Sequence, residues 1–305
     1  MTDHRPPAVD PIAARRWAAR VPAASPWLHE EVARRMAERL PHIRLPVKQW
    51  AHWAPQRGGL QGHSRVAAQY PDSECFWVPA LDGQAPPAIK KEASSWWQRL
   101  GPKRPTGPRE VSAPPAGAQQ LVWANMLAHQ AHDPMALLAG WHRALAVDGF
   151  VMFSCLGPDT LKELRALYAE LGWPPPAQQF TDMHDWGDQL VAVGFAEPVM
   201  DMETLTLTFD TPERLLAELR ELGINLHPDR FVGLRTPAWR RRLLAAMDEH
   251  LRQPPGSGPL ALTFEILYGH ALKPAPRHAV AGRTEIGLDE MRAALRQGKD
   301  KSPSS

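Results

Sequence analysis

Two polar segments of this chain carry residue types that bind ligands. The first, 125–130, directly follows the apolar run 121–124 and contains Asn125 and His129. The second, 225–230, reads Asn-Leu-His-Pro-Asp-Arg and lies between two amphipathic patterns. Amide and imidazole groups orient a ligand by hydrogen bonds, and an arginine fork matches a carboxylate. Both segments are therefore candidates for a binding site.

Metal-ligating patterns are also present, but they are incomplete. His129 and His132 stand three residues apart, and His184 precedes Asp185. Neither pair has a cysteine or a third ligand at a matching spacing, as a tetrahedral zinc site requires. We therefore predict no metal site.

The elements that position the first segment can be read from local rules. Asp133 and Pro134 are a typical cap and first residue of a helix, which we expect to run to about Val147. The run 150–156 is almost continuously apolar, as in a parallel strand covered on both faces. A further helix is predicted to begin at the Thr160-x-x-Glu163 pattern. Residues 121–165 therefore form a β-α-β-α unit.

Composition bounds the class of protein. The chain has 305 residues, 44% of them hydrophobic, and a formal net charge of +2. This charge argues against a nucleic-acid binder, and no apolar stretch reaches the roughly 20 residues needed to cross a bilayer. The N-terminal segment lacks the apolar core of a signal peptide, so a cytoplasmic location is expected.

The rest of the chain divides into three predicted parts: an irregular lead over 1–26, a main domain over 27–272 and a loosely ordered tail over 273–305. Residues 46–78 are expected to hold two short strands around a helix that ends near Tyr70. Prolines make 82–118 mostly loop, with a short helix near 93–100.

Clearer patterns follow in the second half of the domain. Helices are predicted at 27–40 and 182–193, and strands at 198–209 and 259–272. Two more helices begin at Thr-Pro pairs, the residues that favour a cap and a first helical position: Thr211-Pro212 and Thr236-Pro237.

Five segments in order resemble class I S-adenosylmethionine methyltransferases, and among them the malonyl-acyl-carrier-protein O-methyltransferases of biotin synthesis: ANMLAHQAHDP, VDGFVMFSCLGPDTLKELR, FTDMHDWGDQLVAVGF, MDMETLTLTF and LTFEILYGHA. The resemblance implies an α/β fold, a doubly wound, mostly parallel sheet of seven strands whose last strand is antiparallel. It also implies that residues of about 211–252 are inserted as a small helical lid over the substrate site.

The resemblance implies functional residues as well. In such sheets ligands bind beyond the carboxyl ends of the strands, which makes Asn125 a candidate for cofactor binding and His129 for substrate binding. In the lid loop, Asn225, His227 and Arg230 are candidates for holding the acceptor, with Arg230 facing a free carboxylate. The simpler alternatives are a strand-end turn for Asn125, a polar wall residue for His129 and an exposed loop position for Arg230.

The cofactor loop of the resembled family is poorly matched. Such proteins carry Leu-Asp-x-Gly-x-Gly-x-Gly after the first strand, whereas this chain places His52 at the acid and Ala54 at the first glycine. Gly58 and Gly59 could form another turn, and the acid expected after the second strand is absent unless Asp82 reaches back. Each lost charged acceptor costs roughly 1.5–3 kcal/mol, so no tight, ordinary S-adenosylmethionine site is predicted.

Two hypotheses follow from this conflict. The first is a divergent methyltransferase that transfers a methyl group from S-adenosylmethionine to the free carboxylate of malonyl-acyl-carrier protein. The alternative is a non-catalytic pseudo-methyltransferase that acts as a binding or scaffold protein. In either case an acidic acyl carrier protein could dock on a basic cluster, for which a solvated helix face is the simpler account: Arg235, Arg240, Arg241 and Arg242.

Overall fold

A computed structural model describes residues 9–20, 22–79 and 107–276 of the chain. The strands in these ranges are β1 (Gln49–Trp53), β2 (Glu74–Val78), β3 (Arg109–Glu110), β4 (Gln119–Ala124), β5 (Leu145–Leu156), β6 (Ala196–Phe209) and β7 (Leu260–Leu272). The α-helices are α1 (Pro11–Ala18), α2 (Trp27–Ala37), α3 (Pro55–Gly58), α4 (Leu60–Gln69), α5 (Pro134–Ala144), α6 (Lys162–Glu170), α7 (Met183–Val193), α8 (Pro212–Leu222) and α9 (Pro237–His250). The predicted helix near 93–100 lies outside the described residues.

The strands form one sheet in the order β3-β2-β1-β4-β5-β7-β6. Strands β1 to β5 pair in parallel, whereas β7 is antiparallel to both β5 and β6. This arrangement confirms the predicted fold class. The strand order reverses between β1 and β4, and ligands of such sheets bind at this reversal, beyond the carboxyl ends of the strands.

Both faces of the sheet are covered by helices, because alternate residues of its central strands are apolar in both directions. One core cluster contains Trp50 and Trp123 and lies under α2, α6 and α9. The other contains Trp53 and Val122 and lies under α5 and α7. Trp50 and Trp53 therefore fill opposite faces, since they are three positions apart and side chains alternate along a strand.

Three local predictions were wrong. Helix α5 ends at Ala144 instead of Val147, because β5 already begins at Leu145. Helix α6 begins at Lys162, and Glu163 does not close a capping box but accepts hydrogen bonds from the amide and hydroxyl of Thr263 on β7. Finally, α1 is a regular helix within the lead that was predicted to be irregular; the side chain of Asp10 caps it.

The remaining predicted elements agree with the structure. The side chains of Thr211 and Thr236 cap α8 and α9, and Pro212 and Pro237 are the first helical residues. In the chain, both helices lie between β6 and β7, where the lid was predicted. Trp27 on α2 donates from Nε1 to Glu218 of α8 at 2.9 Å, which ties the lid to the body of the domain.

Candidate ligand-binding site at the carboxyl edge of the sheet

The loop after β1 turns sharply and then touches the end of β4. Ala54 adopts the left-handed conformation, with φ 46°, and Gly59 has φ 115°. A Cβ atom on Gly58 would lie 3.0 Å from the backbone oxygen of Asn125. Glycine therefore permits a close approach of two backbones at the point where the strand order reverses.

Asn125 fastens this contact through its side chain. Its amide nitrogen donates to the carbonyl of His29 at 2.7 Å and to the carbonyl of Gly58, and its amide oxygen accepts from the Ser154 hydroxyl at 2.7 Å. The Ser154 oxygen in turn accepts from the Met126 amide at 2.9 Å. Asn125 is only 1% exposed, so its hydrogen-bonding groups are engaged inside the protein.

The amino end of α4 is also engaged by the protein itself. Such an end attracts anions, because its first amide hydrogens have no partner in the helix. Here the carboxylate of Glu30, on α2, accepts from the amides of Leu60, Gln61 and Gly62 at 2.8, 3.0 and 3.1 Å. The anion position of this helix is therefore filled by a side chain of the chain.

Arg57, between these two contacts, ties α1 to the loop after β1. Its guanidinium donates to the carbonyls of Trp17 and Arg20 and lies 4.4 Å from the centre of the Trp17 ring. Burial lowers the pKa of Arg57 to about 10. Since the two carbonyls and the aromatic face all favour a cation, they partly offset the cost of burying this charge.

Buried histidines complete this part of the edge. Nδ1 of His29 lies 2.7 Å from the Arg57 carbonyl, and burial lowers the pKa of His29 to about 4. His52, which stands at the position of the family acid, stacks on His63, and their Nδ1 atoms lie 3.3 Å apart. Desolvation and the nearby His63 hold the pKa of His52 well below its usual value. These imidazoles are therefore neutral near pH 7.

A cavity of about 320 Å³ lies beside this edge, under the lid; we call it the lid cavity. It is lined by the end of α1, the segment 129–130 after β4, the end of β5, α6, the loop before α7, α8 with the loop after it, and Phe264 of β7. Its apolar lining consists of Trp17, Leu156, Leu161, Leu164, Pro176, Ala177, Phe180, Leu216, Leu219, Leu222, Ile224, Leu226 and Phe264. Its polar lining consists of His129, Gln130, Gln178, Arg220 and Asn225.

Two of the predicted substrate residues therefore meet in this cavity. His129 contributes its ring, and burial together with the nearby His29 lowers its pKa to about 3. Asn225, in the loop after α8, lines the same cavity; its amide donates to the Pro175 carbonyl at 2.6 Å and its oxygen accepts from the His227 amide at 2.9 Å.

The other predicted substrate residues lie beyond the cavity lining. Nδ1 of His227 accepts from the Asp229 amide at 2.9 Å. Arg230 forms a 2.7 Å ion pair with Asp10, the residue that caps α1, and both side chains are mostly buried. The pair ties the lid loop to α1. Asp82 lies outside the described residues.

Sequence reasoning missed two lining residues, Arg220 and Trp17. Arg220 lies in the last turn of α8, where an exposed arginine is the ordinary expectation, so the pattern gave no signal of a cavity. Trp17 belongs to a segment that was expected to be irregular. Its ring lines the cavity while its Nε1 donates to Gln130 at 2.8 Å, a contact between positions 113 residues apart.

The described residues provide neither a metal centre nor a membrane-spanning helix. Among them, no group of three or more acidic, histidine or cysteine side chains is arranged to hold a metal ion. Within the same ranges, no helix is both long enough and apolar enough to cross a membrane.

The sheet order, the antiparallel β7 and the site at the carboxyl edge define a Rossmann-like class I methyltransferase fold. Comparison with known proteins then specifies the family. The chain is 39% identical over 259 residues to a malonyl-[acyl-carrier protein] O-methyltransferase of Gallionella capsiferriformans, which covers 83% of this chain and 87% of the relative. For the protein of the same name from Laribacter hongkongensis, identity is 37%, over 82% of this chain and 84% of the relative.

This chain belongs to the malonyl-[acyl-carrier protein] O-methyltransferase family. No protein-family model matches it. Among solved structures, the YcgJ protein of Bacillus subtilis is similar with a TM-score of 0.45 and 14% identity, over 81% of this chain and 99% of that protein.

Proposed function

We propose that this protein transfers a methyl group from S-adenosylmethionine to the free carboxylate of a malonyl group carried by acyl carrier protein, as a step of biotin synthesis in the cytoplasm. The observation that carries the proposal is the 39% identity over most of both chains to a relative named for this activity. The relatives do not favour the non-catalytic alternative.

The lid cavity supports the acceptor side of the proposal. Transfer of a methyl group to a carboxylate needs an in-line approach and a desolvated nucleophile, but little acid–base chemistry. The mostly apolar lining would desolvate the acceptor, and His129 and Asn225 both line the cavity that would hold it. Arg220 is exposed on the lid, where its charge would attract an anionic substrate.

The described residues do not fit the methyl donor in the arrangement seen here. Asn125 bonds directly to Gly58 across the reversal point, and the carboxylate of Glu30 occupies the amino end of α4. The cofactor roles predicted for Asn125, Ala54, Gly58, Gly59 and Asp82 stay predictions. So does the inference that the first half of the domain has lost its cofactor loop.

The basic cluster of the lid separates into two kinds of arginine. Arg235 is held against the rings of Phe231 and Trp239, at 3.7 and 4.3 Å from their centres. Arg240 and Arg241 are exposed on α9. Exposed charges steer an oppositely charged partner. We therefore assign the first encounter with an acidic carrier protein to Arg240 and Arg241, and a packing role in the lid to Arg235.

The activity is tested with the full-length protein, malonyl-acyl-carrier protein and S-adenosylmethionine labelled on its methyl group. We expect label to appear in a base-labile ester on the acyl group, and no labelling of the butyryl carrier, which lacks a free carboxylate. Absence of the ester at millimolar donor would contradict the proposal.

The docking surface is tested by charge reversal. We expect Arg240→Glu together with Arg241→Glu to raise KM for the malonyl carrier about tenfold at low salt, with less effect at high salt because surface charges are screened. Arg44→Glu together with Arg65→Glu is the matched control, since both are exposed arginines outside residues 211–252 and the net charge changes by the same amount. Equal effects of the two changes would show that net charge, and not this surface, matters.

A further inference from the structure

The polar side chains of the lid cavity are mostly bonded to the protein. Gln130 accepts from Trp17 at 2.8 Å and donates to the Met126 carbonyl at 3.3 Å. Gln178 accepts from the Leu226 amide at 3.3 Å and donates to the His129 carbonyl at 3.4 Å. These groups have little capacity left for the amides of a ligand.

Asn225 is bonded in the same way, through both of its polar atoms. His129 accepts from the Leu156 amide through Nδ1 at 3.3 Å, which leaves the hydrogen of the neutral ring on Nε2. The Nε2 atom lies 3.4 Å from the Gln130 amide nitrogen, which is itself a donor and cannot accept this hydrogen. The Nε2 hydrogen of His129 is therefore a neutral donor of the cavity lining, suited to a carbonyl oxygen.

The charges around the cavity are unevenly placed. Arg220 is the charged residue among the described lining, and it is exposed on the lid. Apart from Arg220, the lining consists of apolar side chains and of neutral polar ones: His129, Gln130, Gln178 and Asn225. A carboxylate placed there would lose its hydration without gaining a cation, whereas an ester would lose little.

The volume of the cavity also exceeds what a malonyl group fills. A cavity of about 150 Å³ suffices for benzene, a ring of six carbons. The acyl part of a malonyl group has three carbons, and the lid cavity measures about 320 Å³. Since the polar wall groups are already bonded, the remaining space suits hydrocarbon better than the amide-rich arm of a carrier.

We propose that the lid cavity binds the acyl chain in its neutral, methyl-esterified form more tightly than as the free acid, and that it accepts chains longer than malonyl. The inference rests on the proposed function for the identity of the ester. The ester keeps the hydrogen bond from His129 and buries an added methyl group among leucines. The free carboxylate is held weakly and poorly hydrated, which favours its reaction. Release of the product is then slow.

Binding measured without any methyl donor tests this inference. Pantetheine thioesters of monomethyl malonate, succinate, glutarate and adipate are titrated into the full-length protein by calorimetry, beside the corresponding free acids. We expect affinity for the esters to rise about fourfold with each added methylene, from ~0.8 kcal/mol per buried CH₂. We expect each free acid to bind at least about tenfold more weakly than its ester.

Variants that fill the cavity localise the effect. Leu219→Trp and Leu216→Phe should abolish the gain with chain length, whereas Leu234→Trp should keep it, because Leu234 is 98% exposed and lies outside the lining. Thermal unfolding checks that at least one filled variant is folded. Affinity that does not change with length, acids that bind as tightly as esters, or no binding at all would overturn the inference.

The two proposals fail in different ways. If no methyl transfer is found but ester affinity still rises with chain length, the proposed enzymatic function is wrong and the cavity assignment stands. If methyl transfer is found but ester affinity does not change with chain length, the cavity assignment is wrong and the enzymatic function stands. The two results are independent because the titrations contain no methyl donor.

Discussion

The loop after β1 and the lid cavity lie at the same edge of the sheet but are built on opposite principles. Around the loop, the polar side chains already have hydrogen-bond partners within the protein. Asn125, Glu30 and Arg57 all bond to backbone groups that lie elsewhere in the chain. The cavity is apolar and open, and its polar groups serve mainly to hold its walls together. Hydrogen bonds thus leave no open space in the first region, which we call the closed region, whereas in the second they only fix the positions of the cavity walls.

This difference bears on stability. A buried polar network costs most when one member is removed, because its partners lose their bonds but stay buried. An open apolar cavity tolerates change better, since its walls already face empty space. The following predictions compare matched residues of the two regions.

The largest contrast is expected between the two asparagines. Asn125→Ala removes three buried hydrogen bonds, those to the carbonyls of His29 and Gly58 and to the Ser154 hydroxyl, and we expect it to lower the free energy of unfolding by about 3 kcal/mol or more. Asn225→Ala, on the lid, should cost only about 1 kcal/mol. Urea unfolding followed by circular dichroism measures both. Equal losses would refute the contrast.

Acid should destabilise both regions through their histidines. Folding lowers the pKa of His29 to about 4 and of His129 to about 3, from 6.5. The unfolded chain therefore binds more protons below pH 6.5, so the stabilisation is complete above that pH and is lost as pH falls towards 4. We expect a loss of more than about 1 kcal/mol per histidine between pH 7.5 and 5.

Single substitutions test whether His29 and His129 cause this pH dependence of stability. Urea unfolding at pH 7.5 and at pH 5 should show a smaller difference for His29→Gln and for His129→Gln than for the unchanged chain. His184→Gln, a change at an exposed position of α7, should leave the difference as it was. A pH dependence that neither buried variant reduces would mean that other groups cause it.

A smaller effect is expected where α1 meets the closed region. Arg57→Met keeps much of the packing but removes the charge and its bonds to the carbonyls of Trp17 and Arg20. We expect α1 to lose hydrogen-exchange protection about tenfold or more, while the amides of β4 and β5 exchange as before. Arg165→Met, a change on α6, is the control for loss of a partly buried guanidinium. Unchanged exchange in α1 would show that Arg57 does not hold it.

The smallest effect concerns the residue shared by both regions. Trp17→Phe removes the 2.8 Å hydrogen bond to Gln130 but keeps an aromatic ring beside Arg57 and the cavity. We expect a loss of about 1 kcal/mol in the free energy of unfolding. The ester titrations should show nearly unchanged affinities. A large loss of ester affinity would mean that the Gln130 amide, once released, closes the cavity.

The sequence by itself determined the later strands, most helices and several of their caps, whereas the order of the sheet was implied by the family resemblance. Thr211 and Thr236 cap helices because a side-chain oxygen before a Pro-led apolar pattern satisfies amides locally. The apolar runs in β4, β5 and β7 fix strands that are covered on both faces. Such signals need only neighbours in the chain, so they remain readable without tertiary contacts.

Only the tertiary structure decided how the candidate residues are used. Asn125 was identified correctly as a polar residue at a strand end, but its partners His29 and Gly58 lie 96 and 67 positions away in the chain. Likewise, Trp17 lines the cavity and donates to Gln130, whereas Arg230 lies outside the lining and pairs with Asp10. Hydrogen bonds between distant segments depend on the packing of whole elements, and no local pattern records them.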